Sequence, residues 1–221
     1  MNKLKVDIKK QLKFYELSIK FEQGNELLVI QGDSGSGKTT TLDIIAGIKK
    51  ADEGEVLLKD RVLYSKEKKI FIPIRDRNIG YVFQNYALFP NMKVWDNIMF
   101  GLDKKNKKDI EKGNMLMEQF GISHLKNRFP NDISGGEKQR VSLARAMSTN
   151  PDLLIMDEPF SALDETLKDK LYKDFLEFKE NSSIPIILIT HNNEEAKLLG
   201  DRIIHFQQGK IINEEILRKS V

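Results

Sequence analysis

The chain of 221 residues contains no cysteine. That excludes disulfides, thiolate metal sites and a cysteine nucleophile, and it is compatible with the cytoplasm. Long hydrophobic runs are missing too. The longest, such as Ile184 to Ile189, are strand-sized and fall far short of the roughly 18 apolar residues that span a bilayer. Met1 to Gln11 carries lysines with no apolar stretch after them, so no secretory leader is expected. Any work at a membrane would run through a partner. An excess of one charge is also lacking: 36 basic and 33 acidic residues leave a net charge of +3, without the strong basic bias of a nucleic-acid binder. The run Lys104, Lys105, Lys107 and Lys108 reads as a solvated surface loop. There is no internal repeat and no low-complexity tail. What is present, 40% apolar and 31% charged residues, is ordinary for a soluble globular chain able to bury a core.

One stretch organises the rest: Gly32, Asp33, Ser34, Gly35, Ser36, Gly37, Lys38, Thr39 and Thr40. It fits the phosphate-loop pattern of Gly, four residues, Gly, Lys, then Ser or Thr. The apolar run Leu27 to Ile30 before it has the look of a buried parallel strand. Leu42, Ile44, Ile45 and Ile48 after it recur at roughly helical spacing, with Gly47 near the end of the run. Three glycines let backbone N–H groups curl around an anion without Cβ clashes. A helix starting near Lys38 would aim its positive end at the same anion. Lys38 would reach the β- and γ-phosphates of a nucleoside triphosphate, and the Thr39 hydroxyl would bind Mg²⁺.

Along the chain, Lys3–Ile8 and Leu12–Phe21 read as a hairpin, and Glu55–Leu58 with Arg61–Tyr64 as a second one around Lys59 and Asp60. Ile79–Phe83 is a further strand. From Gln84 the pattern turns helical, over Val94–Gly101, over Ile110–Phe120 with Met115, Leu116 and Phe120 as an apolar face, and over Gln139–Met147. Strand Leu153–Asp157, a helix from about Thr166 to Lys179, strand Ile184–Ile189, helix Asn193–Leu199, strand Ile203–Phe206 and a short strand near Lys210–Ile212 complete the series. Alternating strands and helices imply a parallel, mostly buried sheet.

Two further stretches carry chemistry. The strand Leu153–Asp157 ends in Asp157 and Glu158. Ligands of open α/β sheets sit at the carboxyl ends of strands, which would set both acids beside the phosphate loop. Asp157 is suited to Mg²⁺, and Glu158 to accepting a proton from an attacking water. Ser134, Gly135, Gly136 and Glu137 precede a helix and offer a second anion site at its N-terminus. One nucleotide does not need both sites in one chain; two facing chains would.

In order and over essentially the whole chain, these motifs resemble the nucleotide-binding subunit of an ATP-binding-cassette (ABC) transporter. Gly32 to Thr39 is similar to the Walker A loop and Gln84 to the Q-loop. Ser134 to Glu137 is similar to the signature, with Glu137 where glutamine is usual. Leu153 to Glu158 resembles Walker B, Ser161 to Asp164 the D-loop, and His191 the switch histidine. The resemblance implies an α/β P-loop NTPase cassette with a mostly parallel core sheet, an N-terminal antiparallel β subdomain and an inserted α-helical subdomain. Residues 1–85 and 149–221 would form the core with its β subdomain, and 86–148 the helical subdomain. It further implies ATP and Mg²⁺ as ligands. Lys38 and His191 would contact the γ-phosphate, Thr39, Gln84 and Asp157 would serve Mg²⁺ and its waters, and Glu158 would polarise the attacking water. Ser134 and Gly136 would reach the partner's nucleotide in a head-to-tail pair, expected to be a homodimer, with Asp164 at the pair interface. Phe14 and Tyr15 are both candidates to stack on adenine.

The expected partners are a second cassette, transmembrane permease subunits docked near Gln84 to Phe100 and, indirectly, a solute-binding protein, at the cytoplasmic face of the membrane. The segment from Asp60–Leu63 through Arg77–Pro90 is similar to oxyanion and iron importers. The short N-terminal hairpin, Leu88, Phe89 and Pro90, and Gly135 to Arg140 look most like molybdate importer ATPases. Importers of ferric iron, sulfate or another solute are the alternatives. A soluble cassette acting on nucleic acid or ribosomes normally needs a second cassette or a coiled-coil insertion, and neither is present. A non-hydrolysing ATP-binding scaffold fits poorly with Glu158 and His191. With Val221 as the last residue, the regulatory domain that many importer cassettes carry is not expected, nor is control by cargo bound to it.

Overall fold

The computed structural model describes residues 4–161, 165–180, 182 and 184–217. In chain order its elements are β1 (Leu4–Gln11), β2 (Glu16–Gln23), β3 (Leu27–Gly32), α1 (Lys38–Ala46), β4 (Glu53–Leu58), β5 (Arg61–Ser65), β6 (Ile70–Phe71), β7 (Ile79–Val82) and α2 (Val94–Ile98). There follow α3 (Lys107–Gln119), α4 (Gly135–Ser148), β8 (Leu153–Asp157), α5 (Glu165–Glu180), β9 (Ile186–Ile189), α6 (Asn193–Leu199), β10 (Arg202–Gln207) and β11 (Lys210–Ile216). Two compact units form, Met1–Ile79 with Ser183–Val221, and Gly80–Ser182. Among the described residues no helix is long and apolar enough to cross a membrane.

In the first unit, β2, β1, β4, β5 and β6 make an antiparallel sheet in that order. Leu4, Val6 and Ile8 of β1 point inward with Leu17, Ile19 and Phe21 of β2, the period-two burial of a sheet with one dry face. Leu12–Tyr15, expected as the start of β2, is instead the hairpin turn, with the Leu12 N–H donating to the Tyr15 carbonyl at 3.0 Å. The two-residue turn at Lys59 and Asp60 forms as expected, with Lys59 in the left-handed region at φ 55°. Gly54 of β4 faces Ile8 at φ 92°, and a Cβ there would lie 2.0 Å from the Asp7 carbonyl oxygen; only glycine fits.

The same unit carries strands β11, β10, β3 and β9 side by side. β10 with β3 and β3 with β9 are parallel, while β11 folds back antiparallel. Leu27–Ile30 and Ile186–Ile189 are wholly buried, as continuous apolar runs should be in a parallel sheet covered on both faces. β11 runs to Ile216, longer than its apolar start suggests, because it is a mostly exposed edge strand. Helix α1 buries Leu42, Ile44 and Ile45 but leaves Ile48 44% exposed. It ends at Gly47, φ 87°, whose N–H turns back to the Asp43 and Ile44 carbonyls. A fully buried Arg77 secures that end. Its Nη1 donates to the carbonyls of Ile44 and Ile45 at 2.9 and 2.6 Å, and its Nε to that of Ile72 at 2.8 Å.

The second unit contains β7 and β8 as neighbours, helices α2 to α4, and α5. The stretch 86–148 lies wholly within it. On α3 the inward row is Gly113, Leu116, Met117 and Phe120, while Met115 is 68% exposed; the close seat of Gly113 against Met99 and Trp95 is what turns that row inward. Gly113 admits close approach, since a Cβ there would sit 2.6 Å from Met99 Sδ and 2.9 Å from the Trp95 ring. The buried Asn97 splices the preceding loop to α2. Its Oδ1 accepts from the Phe89 N–H at 2.8 Å, and its Nδ2 donates to the carbonyls of Phe89, Met92 and Lys93. α4 begins at Gly135, four residues before the expected start, because Ser134 and Glu137 form a capping box.

Candidate functional site

β3 hands the chain to the glycine loop at Gly32. Gly32, Gly35 and Gly37 all take positive φ, at 145°, 80° and 105°. A Cβ on Gly32 would strike the Phe206 carbonyl oxygen at 2.2 Å, so the glycine pattern answers a close backbone approach as well as the turn. The Ser36 N–H donates to the Asp33 carbonyl at 3.1 Å, the Gly209 N–H to that of Ser36 at 3.0 Å, and the Thr41 N–H to that of Gly37 at 2.9 Å. Lys38 is buried, and its Nζ donates to the carbonyls of Gly32 and Asp33 at 2.7 and 2.9 Å. The Ser36 hydroxyl is buried and has no hydrogen-bond partner among the described residues. An ammonium curled into a glycine loop at a helix N-terminus, with an orphaned hydroxyl beside it, fits a phosphate chain. Asp33, Ser34, Gly35 and Thr39 of this loop are exposed, and Thr40 is half-buried.

Of the two aromatic candidates, Tyr15 reaches the loop. Its hydroxyl donates to the Gly35 carbonyl, and its ring lies against Gly209. Phe14 is 84% exposed beneath the Lys13 ammonium. Ile30 of β3 is paired with Ile189 of β9. The parallel strands therefore deliver the glycine loop and the exposed His191 to the same sheet edge, the carboxyl edge where α/β ligands bind. Gln31 Nε2 donates to Asn193 Oδ1 at 3.1 Å, and Asn192 caps α6 by accepting the N–H groups of Glu194 and Glu195.

In the second unit, β8 ends at Asp157, and Asp157 and Glu158 are both half-buried. The exposed Gln84, just beyond β7, donates from Nε2 to Glu158 Oε2 at 3.1 Å. Glu158 sits at φ 47°, an uncommon conformation for a side-chain-bearing residue and one that clusters at functional sites. Ser161 closes the turn below it, donating to the Glu158 carbonyl from both its N–H and its hydroxyl. At α4, Glu137 Oε2 accepts the Ser134 N–H at 2.8 Å and the Ser134 hydroxyl at 2.9 Å, and Glu137 Oε1 lies 3.5 Å from His124 Nε2. The Ser134 N–H, its hydroxyl and His124 hold the Glu137 carboxyl below the usual carboxylate range. Gly135 is half-buried and Gly136 buried behind this cap. Asp164 lies outside the described residues. Sequence reasoning missed His124 and Arg77, because contacts this distant in sequence leave no periodic signal.

The chain matches the family described as ABC transporter over residues 14–161. It is 39% identical over 201 residues to an "Fe(3+) ions import ATP-binding protein FbpC 2" of Haemophilus influenzae, covering 90% of this chain and 56% of that protein. It is 40% identical over 206 residues to a "Molybdate/tungstate import ATP-binding protein WtpC" of Pyrococcus horikoshii, covering 92% and 58%. The chain thus spans little more than half the length of these curated relatives. Among solved structures it resembles the dimeric post-hydrolysis state of the ATP-binding cassette MJ0796 bound to ADP and phosphate. That likeness has a TM-score of 0.80 at 26% identity and covers 98% of this chain and all of that one. A glycine loop opening α1, an acidic β8 terminus and a capped α4 are thus joined to a family match over most of the chain, and the protein belongs to the ABC transporter family.

Proposed function

We propose that the chain is the ATP-hydrolysing subunit of an importer, working as a head-to-tail pair beside permease subunits at the cytoplasmic face of a membrane. The observation that carries this reading is Lys38 folded into the loop formed by Gly32, Gly35 and Gly37. Its bonds to two carbonyls are of the kind phosphate oxygens replace. In this reading Lys38 and His191 bind the γ-phosphate, and Gly32 to Thr40 wrap the phosphate chain. Glu158, held by Gln84, takes the proton of the attacking water. Mg²⁺ would rest on Thr39, Gln84 and Asp157 and supply charge neutralisation at the phosphates. Among the described residues no three His, Cys, Asp or Glu side chains gather as a metal site; this oxygen-rich set suits a magnesium ion that keeps its remaining positions for phosphate and water. Ser134 to Glu137 meet the partner chain's nucleotide, and Asp164 the partner chain. Tyr15 takes the adenine side in preference to Phe14, since it alone of the two bonds the loop.

Residues 86–148 are proposed as a helical subdomain that receives the permease around Gln84 to Phe100. The cargo is proposed to be molybdate or tungstate, supported by the molybdate/tungstate relative that the chain covers over 92% of its own length. A ferric-iron importer is the second reading, supported by the iron-import relative at 39% identity.

The test is ATP turnover by the chain with its co-purified permease, on adding solute-binding protein loaded with molybdate, tungstate, sulfate or ferric iron. Stimulation by molybdate or tungstate alone is expected. Stimulation by another cargo would keep the motor and discard the oxyanion. If no permease co-purifies and no cargo matters, the importer reading falls. Glu158→Gln should cut turnover by roughly a hundred-fold or more, the scale of a lost general base.

A further inference from the structure

We infer that Glu137 acts as a brake on the signature end of the site, by committing the Ser134 hydroxyl hydrogen to the helix cap and withholding it from an incoming phosphate. This rests on the reading that Ser134 meets the partner chain's nucleotide. A serine hydroxyl has one hydrogen and two lone pairs. The Glu137 N–H donates to Ser134 Oγ at 3.4 Å and takes one lone pair. Glu137 Oε2 stands 2.9 Å from the same Oγ and 2.8 Å from the Ser134 nitrogen. An ionised carboxylate only accepts, so the hydroxyl hydrogen must point at Glu137.

Both donors of Ser134 therefore end on one carboxylate oxygen. The face of Oγ left for a phosphate is a lone pair, and a full negative charge stands behind it. His124 lies against the other carboxylate oxygen, 3.5 Å from Glu137 Oε1, and leaves the hydroxyl to Oε2. Before Ser134 can donate to an anion, a charge-assisted bond has to open.

Glutamine at this position differs on both counts. It carries no charge, its Oε1 can keep the Ser134 N–H, and its Nε2 can donate to Oγ, which frees the hydroxyl hydrogen. A charge-assisted bond is about twice as strong as a neutral one. Glu137→Gln should therefore lower the half-saturating ATP concentration about five-fold.

The experiment is steady-state ATP turnover of the purified full chain against Mg-ATP, at chain concentrations where the pair forms, for wild type, E137Q, E137A and S134A. The expected result is a gain in apparent ATP affinity for E137Q and E137A, with E137A alone losing thermal stability because the side-chain half of its capping box is gone. A residue that only capped the helix would produce no gain. If E137Q and E137A fold as wild type by circular dichroism and neither gains affinity, while S134A loses turnover, the brake is refuted and the site reading stands. If S134A turns over ATP as wild type does, the assignment of Ser134 to the nucleotide fails, and the brake with it.

Discussion

Gln139 is fully buried in α4, and among the described residues neither its side-chain Nε2 nor its Oε1 has a hydrogen-bond partner. A buried amide without partners costs about 1–3 kcal/mol. Gln139→Met should accordingly stabilise the chain by about 1–2 kcal/mol, read as a higher urea midpoint. Lower stability would mean that the amide is bonded in solution. Arg77 is better served, with only its Nη2 lacking a hydrogen-bond partner among the described residues. Its guanidinium is equally buried and is pushed down to about 10 by that burial, yet it donates to three carbonyls, two of them at the C-terminus of α1. Arg77→Ala removes the donor, orphans those carbonyls and opens a cavity. The expected loss is about 3 kcal/mol or more by denaturant titration. Nothing in the sequence distinguishes Arg77 from the surface arginine Arg75 two residues earlier; the difference is a carbonyl cluster that only the folded chain assembles.

The start of α4 is set by a carboxylate, so it should feel pH. Glu137 has its folded pKa lowered by the Ser134 N–H. Its contribution is complete above its unfolded value and is lost as pH falls through the lower folded one. Wild type should therefore lose more stability than E137Q on acidification below about pH 4, measured by thermal melts at stepped pH. On α3, Gly113→Ala would gain about 1 kcal/mol of helix propensity, but the new Cβ meets Met99 Sδ at 2.6 Å and the Trp95 ring at 2.9 Å. Overpacking costs about 1–3 kcal/mol, so a net loss is expected in the same titration.

At this scale much was readable beforehand. The glycine loop, β3, α1, α6 and the acid-tipped β8 follow from spacing, because each is decided by residues within one turn or strand. The Leu12–Tyr15 turn, the length of β11 and the inward choice of Met117 over Met115 were not readable. Each is settled by a neighbour elsewhere in the chain: the partner strand, the sheet edge, or the helix on the other side. The contacts of Gln84 with Glu158 and of His124 with Glu137 were hidden for the same reason.

For the whole molecule, the exposed aromatics of the second unit bear on partnership. Tyr81 stacks on Phe83 at 4.2 Å, Phe89 packs on Phe100 at 4.4 Å, and Phe83, Phe89 and Phe100 are 39%, 37% and 59% exposed. Exposed aromatics of this kind are enriched at protein interfaces, which suits the permease dock proposed above. Phe100→Ser should abolish co-purification with the permease while ATP turnover by the isolated chain persists; retained co-purification would place the dock elsewhere.

The only tryptophan in the chain lies on α2 inside this unit. Trp95 has the Lys126 ammonium over its ring at 4.0 Å and Gly113 against its edge. A point charge over an indole shifts the colour of its emission, so any movement of α2 against the Lys126 segment writes itself into the native fluorescence. A chain with no cysteine and one tryptophan thus carries its own spectroscopic label, seated on the element proposed to meet the permease.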